Sequence, residues 1–326
     1  MRVVIWTHGG PRIGLGHVRR CLSLAQALSA RGATCSFIVN DERKTVDMIQ
    51  WLGFPAKEVD ERLSGEALTA IEGLHPDAVV ADSYDLSTDD LAGARRVATL
   101  IVIDDLADRE LPADVIVNCA PNASERAYRA LPSTRFLLGP EYALLPPEFA
   151  DLPVRRINNR VRIVMVTLGG GDPRNLTAPI VRRVREALPD DSLDVVLGPL
   201  TGECDCGPMD NVLLHRYPPS MRDLMLGADL AISAGGQTTY ELAATGTPAV
   251  LMSVASNQIP QSIAWDAAGA FVYAGDAGDP EMAPRMVQVA RKLVSDDRLR
   301  CAMSERSRSL VDGRGAERVA NAVLGR

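Results

Sequence analysis

A glycine-rich segment near the start of the chain combines residue types that could bind an anion and move a proton. It reads GGPRIGLGH over positions 9–17, directly after a short apolar run. Gly14 and Gly16 would let a ligand approach the backbone, and the free N–H groups of a following helix would attract negative charge. His17 would lie in the first turn of that helix, where the helix dipole disfavours the imidazolium and suits a neutral general base. Alternatively, the glycines only form a tight turn and His17 is a capping or surface residue.

A second turn of small residues follows the apolar run LAIS at positions 230–233 and opens a predicted helix. This order of strand, glycine turn and helix is a geometry that binds diphosphates. Glu241 falls one turn into the helix, where its carboxylate could accept both hydroxyl protons of a ribose. The alternative is a helix-surface acid, with Thr238 as a cap. The turn includes Ser233, Gly235, Gly236, Gln237 and Thr238.

A third turn, LGGGD at positions 168–172, follows another predicted strand. Its Gly170 and Gly171 could line the same pocket as the second turn, or form a flexible turn and no more. The first turn also admits an NAD site, with Asp41 ending the next predicted strand. Position 19 is Arg where the third glycine of that motif belongs, which disfavours NAD. Adjacent acids at 104 and 105 have no third ligand nearby, so we expect no metal and no cofactor.

The composition describes a globular protein of two domains. The chain has 326 residues, 46% of them hydrophobic and 24% charged, and a net charge of −7. This acidic balance disfavours nucleic acid as a partner. No apolar run approaches the roughly 20 residues that cross a bilayer, and the six cysteines are scattered. We therefore expect a cytoplasmic protein with free thiols and no membrane span.

Short β-rich runs alternate with amphipathic helical patterns, which predicts parallel sheets covered on both faces. The alternation stops around positions 145–159, where prolines and asparagines cluster. This break predicts an N-terminal domain over 1–152 and a C-terminal domain over 153–326, with the last helix packing back on the first domain. The predicted strands cover 3–7, 34–39, 78–81, 100–103, 115–117, 162–167, 193–197, 212–215, 230–233 and 249–252. The predicted helices cover 17–30, 177–188, 238–244 and 261–268.

Taken together, these residues resemble the UDP-sugar hydrolases of the nonulosonic acid pathways, of the pseudaminic acid type. That family is related to the GT-B glycosyltransferases, which include the peptidoglycan UDP-GlcNAc transferase. The resemblance implies an α/β GT-B-like fold, with two doubly wound Rossmann-like domains facing a central cleft. The matching segments keep their order along the chain: IGLGHVRRCL at 13–22, DSY at 82–84, IDD at 103–105, LGPEYALL at 138–145, LGGGD at 168–172, SAGG at 233–236, EL at 241–242, GTP at 246–248 and NQ at 257–258.

The resemblance also implies a reaction and the residues that carry it. His17 would activate water for inverting attack on C1 of a UDP-sugar, without a metal, and release UDP and a free amino or deoxy sugar. The Gly235-Gly236 turn would hold the diphosphate and Glu241 the ribose. Asn257 and Gln258 would lie on a loop facing the sugar or diphosphate. The remaining expected substrate contacts are Gly14, Gly16, Arg19, Tyr84, Asp105, Gly170, Gly171, Ser233, Gln237 and Thr238.

The chain departs from the family at its first turn. The family usually carries Arg and Asp at what are here positions 6 and 8, where this chain has Trp6 and His8, followed by Gly9 and Gly10. We expect these residues at the catalytic edge of the sheet, so the sugar accepted can differ. An acceptor hydroxyl could also replace water, which keeps a GT-B glycosyltransferase as the alternative. A non-catalytic nucleotide-sugar-binding protein is a third possibility.

Overall fold

The computed structural model of the protein describes residues 1–40, 42–60, 65–204, 206, 209–216 and 218–326. These residues form two compact units, which we call unit 1 (Met1–Pro147 with Gly313–Arg326) and unit 2 (Glu148–Asp312). Asp41, which entered the NAD interpretation, lies outside the described residues. No helix in the described ranges is long and apolar enough to cross a bilayer.

Strands and helices alternate along both units. The strands are β1 (Arg2–Thr7), β2 (Thr34–Asn40), β3 (Ala56–Val59), β4 (Ala78–Asp82), β5 (Thr99–Ile103), β6 (Glu110–Leu111), β7 (Val115–Asn118), β8 (Arg129–Ala130), β9 (Arg135–Leu138), β10 (Ile163–Thr167), β11 (Ser192–Leu197), β12 (Val212–Arg216), β13 (Leu230–Ala234), β14 (Ala249–Ser253) and β15 (Val272–Asp276). The helices are α1 (Gly16–Ser29), α2 (Arg43–Trp51), α3 (Glu66–Gly73), α4 (Thr88–Val97), α5 (Thr177–Ala187), α6 (Met221–Gly227), α7 (Thr238–Thr245), α8 (Gln258–Ala267), α9 (Met282–Ser295), α10 (Asp297–Leu310) and α11 (Gly315–Val323).

Each unit is built on a sheet of parallel strands. Across the described residues, the sheet of unit 1 has the order β3-β2-β1-β4-β5-β7-β9, and that of unit 2 has the order β12-β11-β10-β13-β14-β15. Neighbouring strands in both sheets run parallel. Parallel sheets are covered on both faces, so their central strands are nearly continuous apolar runs. This is why the sequence alone revealed them.

The strand order reverses near the centre of each sheet, between β1 and β4 in unit 1 and between β10 and β13 in unit 2. In doubly wound sheets, ligands bind beyond the carboxyl ends of the strands at this point, because the connections diverge there and leave a crevice. The glycine-rich turns at 9–16, 168–172 and 235–237 follow β1, β10 and β13. The topology of each unit therefore places the predicted turns where a Rossmann-like sheet binds its ligand.

The start of α8 differs from the prediction. The pattern predicted a helix from position 261, and the family resemblance implied a loop at Asn257 and Gln258. In the structure the helix begins at Gln258, and Asn257 is its N-cap residue. Pro260 hid this first turn in the sequence. A proline is tolerated there because the N–H that it lacks has no partner within the helix. The prediction of a loop is therefore wrong for Gln258, whereas Asn257 lies in the turn that precedes the helix.

The last helix, α11, belongs to unit 1 and packs against α1. Arg31, just after α1, donates from Nε to Asn321 Oδ1 at 2.8 Å, and its Nη2 lies 3.1 Å from Glu317 Oε2. Gly315 begins α11 where a Cβ atom would lie 2.3 Å from the carbonyl oxygen of Ala143. The close approach requires glycine and fixes α11 on unit 1, where it supports the helix that carries His17.

Candidate active site

A buried histidine–aspartate pair lies at the point in unit 1 where the strand order reverses. Asp82 ends β4 beside Thr7 of β1, and His17 is the second residue of α1. His17 Nδ1 lies 2.7 Å from Asp82 Oδ1, and the two residues are 6% and 0% exposed. Because an ionised carboxylate only accepts hydrogen bonds, Nδ1 carries the proton and Nε2 is left as the basic nitrogen. The arrangement is that of a general base oriented by a carboxylate.

Arg20, one turn further along α1, binds the same carboxylate. Its Nε lies 2.7 Å from Asp82 Oδ2 and its Nη2 lies 2.6 Å from Oδ1. Its Nη1 lies 2.8 and 3.0 Å from the two carboxylate oxygens of Asp105, so one guanidinium bridges two acids. Burial opposes the ionisation of Asp82, but the charge of Arg20 and the bond from His17 outweigh it. They hold the pKa of Asp82 well below its usual range, which keeps the carboxylate charged at neutral pH.

Tyr84 connects the far end of this arrangement back to the imidazole. Its ring meets the ring of His17 edge-on, with centroids 4.5 Å apart and an interplanar angle of 84°. Its hydroxyl donates to Asp105 Oδ2 at 2.9 Å. The structure thus joins three predicted site residues, His17, Tyr84 and Asp105, to two further residues, Arg20 and Asp82. We call these five residues the unit 1 network.

Asp82 and Arg20 were not among the predicted site residues. A signal for Asp82 was present, because a buried apolar strand ended in an acid at the same sheet edge as the first glycine turn. For the arginine, the prediction chose Arg19. Residues three apart share a helix face, so Arg20 lies on the face of His17. Arg19 is half-buried and is not part of the network.

The residues that depart from the family pattern fall into two environments. Trp6 lies inside β1, is 3% exposed, and packs in the hydrophobic core with Val4. Its predicted place at the catalytic edge is therefore wrong, because its side chain packs in the core. His8 follows the end of the strand, and its Nδ1 is hydrogen-bonded to Ser83 Oγ at 2.8 Å. Burial lowers the pKa of His8 to about 4, so this second ring is neutral near pH 7.

The first glycine turn is closed by its own backbone. Gly10 and Gly14 exchange two N–H···O bonds of 3.0 and 2.7 Å, and both have positive φ. A Cβ on Gly9 would lie 2.6 Å from a methyl group of Val18, so α1 packs directly on the turn. Around Gly14 and Gly16, by contrast, a Cβ would meet no atom within 4 Å. The turn is rigid on its α1 side and open at the two glycines predicted to admit a ligand.

The turn after β13 in unit 2 offers different N–H groups from those expected. The N–H of Gly235 donates to the carbonyl of Met252 at 2.9 Å and extends the sheet. It is therefore not available to an anion, and its predicted role as a diphosphate donor is corrected. A Cβ at Gly235 would lie 2.0 Å from Ser262 Oγ, which explains the glycine by packing. Within the described residues, the N–H groups of Gly236 and Thr238 have no protein acceptor.

Side chains of α7 and α8 hold the carbonyl groups of this turn. Gln261 Nε2 lies 3.3 Å from the carbonyl oxygens of both Gly235 and Gly236, and it donates to Thr239 Oγ1 at 3.0 Å. The Thr239 hydroxyl donates to Gly236 O at 2.8 Å and accepts from Trp265 Nε1 at 3.1 Å. With the carbonyls bound on the α8 side, the turn is fixed in one conformation.

The other predicted residues of this turn lie around it. Ser233 is 0% exposed and its hydroxyl donates to the carbonyl of Ala234, so it is a strand-end residue. Gln237 is the N-cap residue of α7 and Glu241 lies in the first turn of the helix, 8% exposed. Next to them, Gln258 Oε1 accepts from the N–H of Val254 at 3.0 Å.

The turn after β10 is supported by the 198–200 segment of the same unit. The carbonyl of Gly170 accepts from the N–H of Leu200 at 2.9 Å. A Cβ at Gly198 would lie 2.1 Å from the carbonyl oxygen of Gly169, so two backbones cross here in direct contact. Asp172 closes the turn by accepting from the N–H of Thr177 at 2.7 Å at the start of α5. Gly170 and Gly171 are thus held in a defined loop.

Metal coordination has no candidate in the part of the chain that the structure describes. Among those residues, no group of three or more His, Cys, Asp or Glu side chains is placed to share an ion. The six cysteines, Cys21, Cys35, Cys119, Cys204, Cys206 and Cys301, are all free thiols.

Comparison with known proteins gives relatives at low identity. No protein-family profile matches the chain. A Helicobacter pylori protein named pseudaminic acid cytidylyltransferase and UDP-2,4-diacetamido-2,4,6-trideoxy-beta-L-altropyranose hydrolase is 27% identical over 267 residues, 79% of this chain and 45% of that protein. An uncharacterized protein of Methanocaldococcus jannaschii is 25% identical over 270 residues, 77% of this chain and 55% of that protein. The chain thus spans about half the length of these two relatives.

A third relative matches from end to end. The spore coat polysaccharide biosynthesis protein SpsG of Bacillus subtilis is 24% identical over 338 residues, 98% of this chain and 96% of that protein.

Solved structures show which fold the chain has. MurG of Acinetobacter baumannii superposes with a TM-score of 0.71 at 15% identity, over 100% of this chain and 99% of that one. The calicheamicin glycosyltransferase CalG4 gives 0.68 at 16% identity, with the same coverage. At these identities the match concerns the fold alone. Together with the two Rossmann-like parallel sheets, it confirms that this chain has the GT-B fold of glycosyltransferases.

Proposed function

We propose that the protein is a nucleotide-sugar hydrolase that releases a nucleoside diphosphate, UDP in our assignment, and a free sugar. The observation that carries the proposal is the His17–Asp82 pair, a buried base at the ligand-binding edge of a Rossmann-like sheet. The names of the H. pylori and B. subtilis relatives, a UDP-sugar hydrolase and a polysaccharide biosynthesis protein, support the same substrate class.

In the proposed reaction, His17 Nε2 takes a proton from water as the water oxygen bonds to C1 of the sugar. The bond between C1 and the diphosphate oxygen breaks, and UDP leaves with the electron pair of that bond. Asp82, bonded to Nδ1–H, stabilises the imidazolium that forms at this moment. The proton on Nε2 then passes to solvent and restores the neutral base. Attack opposite to the leaving group inverts the configuration at C1.

The leaving diphosphate gains negative charge as the bond breaks. In unit 2, the N–H groups of Gly236 and Thr238 have no protein acceptor within the described residues and open the N-terminus of α7, where the helix dipole attracts an anion. Fixed donors of this kind stabilise developing charge without reorganising. We assign the ribose to Glu241, one turn into the same helix.

A glycosyltransferase is the alternative, and the fold supports it directly, since the matched structures include glycosyltransferases. The chemistry at His17 would be the same, with an acceptor hydroxyl in place of water. His8 next to the network, where the family usually carries Asp, is the residue that favours a changed sugar or acceptor.

Product release without an acceptor separates the two activities. The purified protein is given the UDP-sugar in the H. pylori relative's name, UDP-2,4-diacetamido-2,4,6-trideoxy-β-L-altropyranose, and separately UDP-N-acetylglucosamine, and UDP release is followed. Release in buffer alone supports hydrolysis, whereas release only after adding an acceptor sugar establishes transfer. Failure of UDP to bind in calorimetry would reject a UDP-sugar enzyme of either kind.

His17→Ala tests the base. We expect kcat to fall by about 10²–10⁴, because proton removal from the nucleophile is lost, with UDP affinity within about threefold of wild type. The matched control is His75→Asn, an exposed histidine after α3 whose φ of 46° suits asparagine. The control should keep full activity. Unchanged turnover in His17→Ala would remove this imidazole from the mechanism. If the wild type turns over no UDP-sugar and His17→Ala binds UDP as well as the wild type does, the protein is a binding protein.

A further inference from the structure

Arg20 has no part in the reaction as proposed, yet it is among the most enclosed cations of unit 1. It is 7% exposed and its guanidinium contacts Asp82 through Nε and Nη2 and Asp105 through Nη1. Its Nη2 also lies 3.1 Å from Nδ1 of His17. An arginine whose nitrogens are engaged with two carboxylates is poorly placed to bind a phosphate as well.

We propose that Arg20 is a positioning residue, which bridges Asp82 and Asp105 and so fixes the carboxylate that orients His17 with Nε2 as its base. The predicted effect on kcat rests on the proposed function. The tautomer of the His17 imidazole, which the proposal also predicts, can be measured without substrate.

The two contacts of Arg20 with the Asp82 carboxylate require a guanidinium, because another cation of the same charge lacks its planar pair of donors. The two oxygens of Asp82 are held by Nε and Nη2 at 2.7 and 2.6 Å, a side-on fork that fixes the plane of the carboxylate. That plane decides where Oδ1 lies, and Oδ1 is the acceptor 2.7 Å from His17 Nδ1. A lysine supplies the charge but not the fork.

The second carboxylate anchors the guanidinium from the other side. Asp105 Oδ2 accepts from Arg20 Nη1 at 2.8 Å and from the Tyr84 hydroxyl at 2.9 Å. Tyr84 in turn has its ring edge-on to His17. The network therefore closes on the imidazole twice, through Asp82 and through Tyr84, and Arg20 is the residue that joins the two paths.

The charges around Asp82 make the effect of removing Arg20 predictable in sign. Without the guanidinium, Asp82 remains buried and loses its main stabilising charge, so its ionised form is less favoured. The active form needs an ionised Asp82 to orient His17, so its formation should move to higher pH. Among the described residues, the titratable and charged groups around Asp82 include His17, Arg20 and Cys21 from α1, His8 after β1, Tyr84 after β4, Asp105 after β5 and Cys119 after β7.

Two substitutions separate charge from geometry. Arg20→Gln removes the charge and keeps an amide donor, and Arg20→Lys keeps the charge without the fork. The matched control is Arg43→Gln, since Arg43 is exposed on α2 and pairs only with Asp47 in the described structure. Each protein is first checked for its melting temperature and far-UV spectrum.

We expect kcat to fall about 10- to 100-fold in both variants, with KM changed less than about threefold, as for other groups that support a reactive side chain. The acidic limb of the kcat/KM profile should move to higher pH in Arg20→Gln and move less in Arg20→Lys. The Arg43→Gln control should match wild type. A profile that stays in place while kcat and stability both fall would assign Arg20 a structural role only, and full activity in both variants would overturn the proposal.

Nitrogen NMR of His17 gives the second readout and requires no substrate. In ¹⁵N-histidine-labelled wild-type protein, His17 should show the Nδ1–H tautomer at neutral pH. In Arg20→Gln, the His17 signals should respond to protonation of the neighbouring Asp82 carboxylate over a higher pH range than in wild type. An Nε2–H tautomer in the wild type, or the same pH dependence of these signals in Arg20→Lys, Arg20→Gln and wild type, would overturn the positioning role. If no UDP-sugar is turned over while the tautomer behaves as expected, the proposed function fails and the role of Arg20 stands.

Discussion

Replacing Asp82 by asparagine isolates what the buried carboxylate does for His17. The substitution keeps the shape of the side chain and removes a charge that is 0% exposed and lies 2.7 Å from Nδ1. When Nε2 takes a proton, the two charge centres are roughly 4 Å apart. At an effective dielectric constant of about 20 their attraction is worth about 4 kcal/mol. Since about 1.4 kcal/mol changes a rate tenfold, the full loss corresponds to about 10³ in kcat.

Part of this loss should be recovered. In Asp82→Asn, the amide oxygen can still accept one hydrogen bond, from either His17 or Arg20, and Asp105 still pairs with Arg20. We therefore expect kcat to fall by about 10²–10³, with KM within about threefold, because the lost attraction develops only in the transition state.

Steady-state UDP release across pH 5–9 measures the effect, and UDP calorimetry measures the ground state. The double variant with His17→Ala provides the control: once the imidazole is absent, Asp82→Asn should cost little more, because the two residues act as one unit. The reasoning would be refuted if kcat fell by less than tenfold in Asp82→Asn. It would also be refuted if Asp82→Asn lowered kcat by the same factor in the wild-type and His17→Ala backgrounds.

Two further predictions concern stability. The pKa of His8 is about 4 in the folded protein, whereas its ordinary value is 6.5, so between these values the unfolded chain binds a proton that the folded protein does not. The unfolding free energy of wild type should therefore fall by about 3 kcal/mol as the pH falls from about 7 to 4. His8→Asn, which cannot titrate, should show a flatter pH dependence in urea unfolding, and parallel curves for the two proteins would contradict this. Gly235→Ala should destabilise unit 2 by about 1–3 kcal/mol, because its Cβ would lie 2.0 Å from Ser262 Oγ. Gly202→Ala, at a site with no atom within 4 Å of the added Cβ, is the control, and adding Ser262→Ala should restore part of the loss in melting temperature.

The fold was largely predictable because each strand or helix has its own hydrophobic pattern in the sequence. Buried parallel strands are apolar along their whole length, as in 100–103 and 249–252, and this holds whatever their neighbours are. Helices such as α2 were not predicted, since only Thr45, Val46 and Ile49 of its nine residues are buried and the apolar signal is weak. The start of α8 was missed because proline is read as a helix breaker, although it is compatible with a first turn.

The candidate site was predictable only in its local parts. The sequence by itself determined that a histidine follows a glycine turn at the start of α1, and that β4 ends in an acid, since both facts depend on neighbours along the chain. It could not show that His17, Arg20, Asp82 and Asp105 meet. Arg20 and Asp105 alone are 85 residues apart, and β1, β4 and β5 must first align in one sheet.

Tertiary structure also decided what individual groups are free to do. The N–H of Gly235 looks like an anion donor in the sequence, but the pairing of β13 with β14 gives it to Met252. Trp6 lies within the predicted strand 3–7, and only the fold shows that its side chain packs in the core and not at the edge. Residue type and spacing along the chain determine which reactive groups are present. Only the folded chain supplies the hydrogen-bond partners and the burial that determine which of these groups are free to bind or react.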